Sequence, residues 1–343
     1  MQQLILELLP KREGHAYAPF AVYLPTHTEG FFIQYHFAYE YSDTRDRYTP
    51  NSTTNVSNYR IREAYLVRVG EVGTQSVSCE RVCRVLQKGE ISLAIREDLP
   101  DTAHLLPGAE PVRRNDQCYA ADFIGGLHGD ERFRATSLIA DGAALDLTAG
   151  AERVLRAEEL LFSQDTTLYR WGTSSQSSFG IPVAEHTQRI RITAKGLQNR
   201  QRVRWLCDDF HARKNATFLQ MFTMVREENG VNVCEKLDVF DENGRLLGRA
   251  STPPPVTAAY TVLHHRDTRT VSYGSDTSGI TARVGFRIIN DSLRVDDTWL
   301  HVRVPQNDNK WYASFSSPQN GHNPRCGEVW ELELSAQIDY EAK

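Results

Sequence analysis

An imidazole and two carboxylates stand close together at His128-Gly-Asp130-Glu131, just after the glycine pair Gly125-Gly126. Glycines at this density permit positive φ and let a ligand approach the backbone closely. In such a turn His128 can pass protons near neutral pH, and Asp130 or Glu131 can serve as acid, base or metal ligand. The same residues also fit a Gly-rich reversal whose polar groups only cap backbone. Adjacent carboxylates on a strand point to opposite faces, so this pair alone does not make a glycosidase, whose two acids flank one bond at about 5 to 9.5 Å.

A second constellation is Asn309-Lys310-Trp311-Tyr312-Ala313-Ser314-Phe315. Alternation sets Tyr312, Ser314 and Ser316 opposite Trp311, Ala313 and Phe315. A strand with Lys310, Trp311 and Tyr312 suits a saccharide cleft, where aromatics meet the apolar ring faces of sugars and polar groups meet hydroxyls; ordinary amphipathic packing explains it equally well. Gln34 and His36 share the less apolar face of an early strand, and His186 opens another, His186-Thr-Gln-Arg-Ile-Arg-Ile192. Arg189 and Arg191 share a face, as do Arg202 and Arg204, and such pairs can hold carboxylates or sulfates in bidentate fashion. Solvated strand faces are the plainer reading. His211, His264, His265, His301 and His322 show no spacing that specifies a metal site.

Several classes of function are excluded. The chain has no GxxxxGK[ST] phosphate loop, no Gly-x-Ser-x-Gly elbow and no HExxH. A net charge of -5 over 343 residues argues against bulk nucleic-acid binding, which needs many phosphate-neutralising cations. Nothing approaches the ~18 uncharged apolar residues that would span a bilayer as a helix. The six cysteines, Cys79, Cys83, Cys118, Cys207, Cys234 and Cys326, are too scattered for a disulfide scaffold, and no second Cys/His pair completes a zinc site with Cys79 and Cys83. The first ten residues lack a basic n-region and carry Glu7 inside their apolar run, so they do not read as a signal peptide. Secreted and cytoplasmic locations both stay open, as does the oligomeric state.

Period-two alternation dominates the elements that must position these groups. In Phe31 to Tyr41 one face carries Phe31, Ile33, Tyr35, Phe37, Tyr39 and Tyr41, and the other Gln34, His36 and Glu40. Further strands are expected at Tyr65 to Val69, Ile91 to Arg96, Gln188 to Thr193, Arg202 to Leu206, Phe218 to Val225, Asn232 to Phe240, Ala282 to Ile289, Trp299 to Val304, Lys310 to Phe315 and Val329 to Ile338. Glu228-Asn-Gly230, Asp241-Glu-Asn-Gly244 and Gln319-Asn-Gly321 fit reversals between strands. One helix is expected, over Ala151 to Phe162. The pattern predicts an all-β protein, an antiparallel β-sandwich of jelly-roll type with few short helices. We read residues 1–343 as a single large domain, with Thr252-Pro-Pro-Pro255 marking a subdivision or an inter-strand loop near 252–256.

Through the Gly-Gly-Leu-His128 segment and Lys310-Trp-Tyr312-Ala-Ser-Phe315, on a presumed sandwich from Gln34 to Gln337, the chain resembles the jelly-roll polysaccharide lyases of the alginate lyase, glucuronan lyase and heparinase I type. The strand that bears the catalytic tyrosine in that family has a pattern this sequence matches only in part. The resemblance implies β-elimination of a uronate in an acidic polysaccharide or oligosaccharide. It makes Gln34 and an arginine neutralise the carboxylate, His128 or His186 take the C5 proton, and Tyr312 protonate the leaving oxygen, since a tyrosine of ordinary pKa stays protonated at neutral pH. His36, Arg189, Arg191, Arg204, Lys310 and Trp311 would complete the substrate contacts. No cofactor is required, although Ca²⁺ held by Asp130 or Glu131 would suit hard carboxylate oxygens. Two other readings stay open: a glycoside hydrolase using Asp130 or Glu131 with another acid, and a noncatalytic carbohydrate-binding or structural module.

Overall fold

The computed structural model describes residues 3–13, 15–42, 56–86, 91–174, 179–214, 218–251, 260–289, 291, 293–303 and 307–343. Within them lie 25 strands and a single three-residue 3-10 turn, Gly126–His128. The strands form an antiparallel β-sandwich. In one layer Ala143–Leu145, Glu131–Ala140, Glu159–Tyr169, Pro182–Thr193, Gly196–Trp205, Val329–Tyr340, Ile280–Ile288, Thr270–Gly274, Lys236–Phe240 and Leu246–Ser251 lie side by side. The other layer runs through Arg153–Ala157, Leu4–Leu8, Phe20–Pro25, Phe31–Ser42, Val56–Val72 and Val77–Leu86. It continues across the Met224↔Leu86 pair into Phe218–Val225, which is flanked by Asp308–Ser316 on one side and by Ser92–Leu99 on the other. Arg294–Arg303 and Tyr260–His264 extend it beyond Asp308–Ser316, and Cys118–Ile124 pairs with Ser92–Leu99.

Alternation decides what lies between the layers. Phe162 from the first layer packs on Phe20 and Phe37 of the second at centroid distances of 5.7 and 5.8 Å. Farther along, Phe286 stacks on Trp311 at 5.7 Å and Trp330 meets Phe218 at 6.1 Å. Trp171, Trp205, Trp311 and Trp330 are all buried, which leaves Trp299 as the one of five tryptophans outside this core. Burying such rings contributes roughly 1.5–3 kcal/mol or more apiece.

The segment expected as a helix, Ala151 to Phe162, is strand on both sides of Glu158: Arg153–Ala157 pairs with Leu4–Leu8, and Glu159–Tyr169 with Pro182–Thr193. Its apolar residues follow a period of two. Leu160 and Phe162 enter the core while Leu161 between them is 41% exposed. The Asn229-Gly230 reversal has φ values of 52° and 78° and joins Glu227–Glu228 to Val231–Asn232, as an Asn-Gly hairpin requires. The Asp241–Gly244 turn likewise joins Lys236–Phe240 to Leu246–Ser251. Thr252–Pro255 and Val304 lie outside the described residues.

Candidate functional site

The outward face of the second layer gathers the chemistry. Along Arg294–Arg303 the pairing with Asp308–Ser316 runs Arg294↔Ser316, Val295↔Phe315, then Asp297↔Ser314 and Trp299↔Tyr312. Asp296 is the extra residue of a β-bulge, which re-aims side chains that regular alternation would send to opposite faces. Both carboxylates therefore reach the same side. The Ser316 hydroxyl donates to Asp296 Oδ1 at 2.6 Å, while Asp297 lies opposite Ser314, two residues along the same strand face.

Each carboxylate has its own histidine. Asp297 Oδ2 lies 2.8 Å from His264 Nε2, and its Oδ1 accepts the Thr298 N–H at 2.9 Å. Asp296 Oδ2 is 3.4 Å from His322 Nδ1, with Arg294 Nε 3.8 Å from Oδ1. Beside them Trp299 and Tyr312 stack with centroids 5.0 Å apart and planes 13° from parallel, both partly exposed, and Lys310 Nζ stands 5.0 Å from the Tyr312 ring centre. The wholly buried Ser314 hydroxyl has no hydrogen-bond partner among the described residues. Next to Asp296 opens a hollow of about 320 Å³ lined by Lys214, Arg266, Arg294, Val295, Asp296 and His322. Its charged lining is mostly cationic.

His128 reaches this face from the Cys118–Ile124 side. Its ring lies 5.0 Å from Phe123, the Arg96 guanidinium covers Phe123 at 5.0 Å, and Phe123, Trp299 and Tyr312 all pack around Ala94. Of the residues singled out from sequence, Tyr312 and Lys310 lie together here, and His128 packs on Phe123 at the Cys118–Ile124 strand.

The others do not. Trp311 turns into the core, 1% exposed against Phe286, because it alternates with Tyr312; it cannot be a sugar platform. Gln34 is buried and donates to the Tyr23 hydroxyl at 2.7 Å, which in turn donates to Glu7. His36 lies by Tyr65, its pKa lowered to about 4, first by burial and then by Arg81, with Glu63 opposing. Arg189, Arg191 and Arg204 stand on the outward face of the other layer, Arg191 paired with Glu159 and Arg204 Nη2 2.7 Å from Glu185.

His186, Asp130 and Glu131 are interior. Glu131 sits where Val56↔Glu131 and Ser57↔Arg132, a parallel pair, stitch the two layers together. Its oxygens accept from Asn58 Nδ2 at 2.6 Å, Thr166 Oγ1 at 2.6 Å, the Gly126 N–H at 2.7 Å and His186 Nδ1 at 3.0 Å. Burial pushes this carboxyl up, but the His186 hydrogen bond and charge, with Thr166 and Gly126, outweigh it and hold the pKa below the ordinary value. A carboxylate surrounded by N–H and O–H donors is built to stay an anion, not to coordinate Ca²⁺. His186, 5% exposed and facing the interior, cannot meet a polymer. Asp130 is 1% exposed at φ 50°, its carboxyl pushed up to about 8 by burial against weaker help from the Ser174 hydroxyl and the Gly172 N–H, so it is predominantly neutral at pH 7. That too is wrong for a cation ligand. Among the described residues no group of three His, Cys, Asp or Glu side chains has metal-site geometry.

Asp296, Asp297, His264, His322 and Trp299 carry the site and were not singled out by sequence. One signal was present: consecutive aspartates before a tryptophan, Asp296-Asp297-Thr-Trp299, inside an alternating strand, where one of two neighbouring charges would otherwise face the core.

No protein-family model matches the chain, and no curated protein matches it in sequence. Among solved structures it is similar to the Slr1438 protein of Synechocystis sp. PCC 6803, at 9% identity and TM-score 0.42 over 97% of this chain and 98% of that one. It is also similar to a galactose mutarotase-like protein of Clostridium acetobutylicum, at 9% identity and TM-score 0.39 over 98% and 99% of the two chains. A galactose mutarotase related enzyme of Lactobacillus acidophilus follows, at 10% identity and TM-score 0.35 over 93% and 99%.

Proposed function

We propose that the protein is a carbohydrate-active enzyme that seats an acidic sugar on the Trp299–Tyr312 face and moves a proton at the bound ring. The observation that carries this reading is the bulge at Asp296, which sets two aspartates, each with a histidine, beside a stacked aromatic pair. Aromatic faces take the C–H side of a pyranose, and the carboxylate–imidazole pairs accept and return protons. Lys214, Arg266 and Arg294 hold the anionic group in the adjoining hollow. The Ser314 hydroxyl is left for a ligand or a water.

Two reactions fit such a site. β-Elimination at a uronate uses a cation on the carboxylate, a base at C5 and the Tyr312 phenol as acid; His264, held by Asp297, or His128 supplies the base. Epimerisation at the anomeric carbon needs one group to take the hydroxyl proton and another to give one to the ring oxygen, and the two separate Asp–His pairs favour it as a second reading.

Calorimetric titration with oligouronates tests the binding claim. Trp299→Ala weakens binding roughly tenfold, about 1.4 kcal/mol, with the circular dichroism spectrum unchanged. Asp297→Asn leaves binding within a factor of about three, under about 0.7 kcal/mol, and abolishes turnover. Ultraviolet absorbance of an unsaturated product reports elimination, and polarimetry reports epimerisation. Binding that ignores Trp299→Ala, or turnover that survives Asp297→Asn, overturns the assignment.

A further inference from the structure

A second hollow, of about 270 Å³, opens on the opposite side of the sandwich, on the outward face of the first layer. It lies across Pro182–Thr193, Gly196–Trp205, Val329–Tyr340 and Ile280–Ile288, where the register sets Arg191 opposite Gln198, Gln198 opposite Ser335, and Ser335 opposite Gly285. Small residues keep its floor low. Gly285 sits mid-strand, where glycine weakens a sheet, and a Cβ there would stand 3.0 Å from Thr270 Oγ1 and 3.2 Å from the Arg269 carbonyl. Gly196, at φ 123°, lies against the Ala336 carbonyl, which a Cβ would meet at 2.5 Å.

The walls are cationic. Arg191, Lys195 and Arg283 line the hollow with no carboxylate among its lining residues, and the Gln198 and Gln337 amides add neutral polar groups. Elsewhere on this face arginines are neutralised across the sheet, Arg200 by Glu331 and Arg287 by Glu333. Arg191 leans on Glu159, but Lys195 and Arg283 meet no carboxylate among the described residues, Arg283 instead lying 5.9 Å from the Phe240 ring centre. A Gly-floored hollow with two wall cations, Lys195 and Arg283, that meet no carboxylate among the described residues is chemically matched to an oxyanion, which guanidinium and ammonium donors bind by charge-assisted hydrogen bonds.

We infer that this trough is a second binding site, separate from the Trp299–Tyr312 face, for a tetrahedral oxyanion such as sulfate or phosphate, free or carried on a glycan. Titration calorimetry at low ionic strength with inorganic sulfate, inorganic phosphate and a sulfated oligosaccharide tests it. The paired exposed substitutions Lys195→Glu and Arg283→Glu weaken binding tenfold or more, about 1.4 kcal/mol or beyond, and added salt weakens it in the unaltered protein. Arg283→Gln alone gives a smaller loss of the same sign. Sulfate or phosphate binding that the double variant loses assigns the site to the free ion; binding of the oligosaccharide alone, lost in the same variant, assigns it to a glycan. No binding of any probe, or binding the double variant leaves intact, overturns the inference. Loss of oligouronate binding on Trp299→Ala is read at the other face and leaves this result untouched.

Discussion

Asp130→Asn is expected to make the protein more stable at neutral and alkaline pH, by an amount that grows from about pH 4 to about pH 8 and then levels off. The carboxyl is 1% exposed, and burial pushes its pKa up to about 8, against about 3.9 in an unfolded chain. Between those values the folded protein binds a proton that the unfolded chain has released, so the contribution of Asp130 is full below about pH 4 and is lost as pH rises through about 8. The slope is about 1.4 kcal/mol per pH unit at most. Over a window of roughly four units the upper bound is about 6 kcal/mol, and relaxation around the ionised group reduces it to a few. Asparagine keeps the shape, does not titrate and tolerates the positive φ of this position. Glu97, raised to about 7 first by burial with Arg170 opposing, has the same sign, but it is common to both proteins and cancels in their difference. Urea unfolding followed by tryptophan fluorescence, at steps from about pH 4 to about pH 8, measures that difference. A flat difference, or an Asn variant less stable at every pH, refutes the reasoning.

Further outcomes follow from the same geometry. Glu131→Gln turns one oxygen that accepts two hydrogen bonds into a donor facing donors, and should lower stability by about 3–5 kcal/mol in urea unfolding; a loss below about 1 kcal/mol would mean that the four donors do not close around Glu131. Trp311→Ala should cost about 3–5 kcal/mol of stability and leave oligouronate affinity unchanged, the reverse of Trp299→Ala. His36 should titrate by proton NMR with a midpoint near 4; its pKa is lowered in the fold, so the stability it contributes is present above about pH 6.5 and is lost as pH falls through 4. A midpoint near the ordinary histidine value contradicts its burial.

The layers were legible in the sequence because a half-buried strand writes its geometry in every second residue, and Phe31 to Tyr41 does so plainly. The helix expected over Ala151 to Phe162 failed for the same reason: Leu160 and Phe162 belong to a period-two set that continues past Phe162 through Gln164, Thr166 and Leu168. Contacts between distant residues were not legible. Glu131 and His186 are 55 residues apart and meet because Glu159–Tyr169 pairs with both their strands, Leu168 against Glu131 and Thr166 against His186. The glycine pair, read as loosening a reactive turn, instead aims the Gly126 N–H at Glu131, while His128 from the same motif packs on Phe123.

The Lys310–Trp311–Tyr312 run shows where sequence reasoning can be made to test itself. Period two forbids Trp311 and Tyr312 from sharing a cleft, and placing both at the substrate conflicted with the alternation that placed Tyr312 opposite Trp311 to begin with. Applied consistently, alternation leaves Tyr312 with Lys310, Ser314 and Ser316 and asks which neighbouring strand supplies their partners. Arg294–Arg303 answers with Trp299, in register with Tyr312, and with Asp297, in register with Ser314. The remaining step was out of reach, because a bulge is an extra residue in the pairing and shows only when both strands are aligned. Without it Asp296 would point at Phe315 and the core; with it the carboxylate turns out beside Asp297, and an unremarkable pair of strand aspartates becomes the centre of the face.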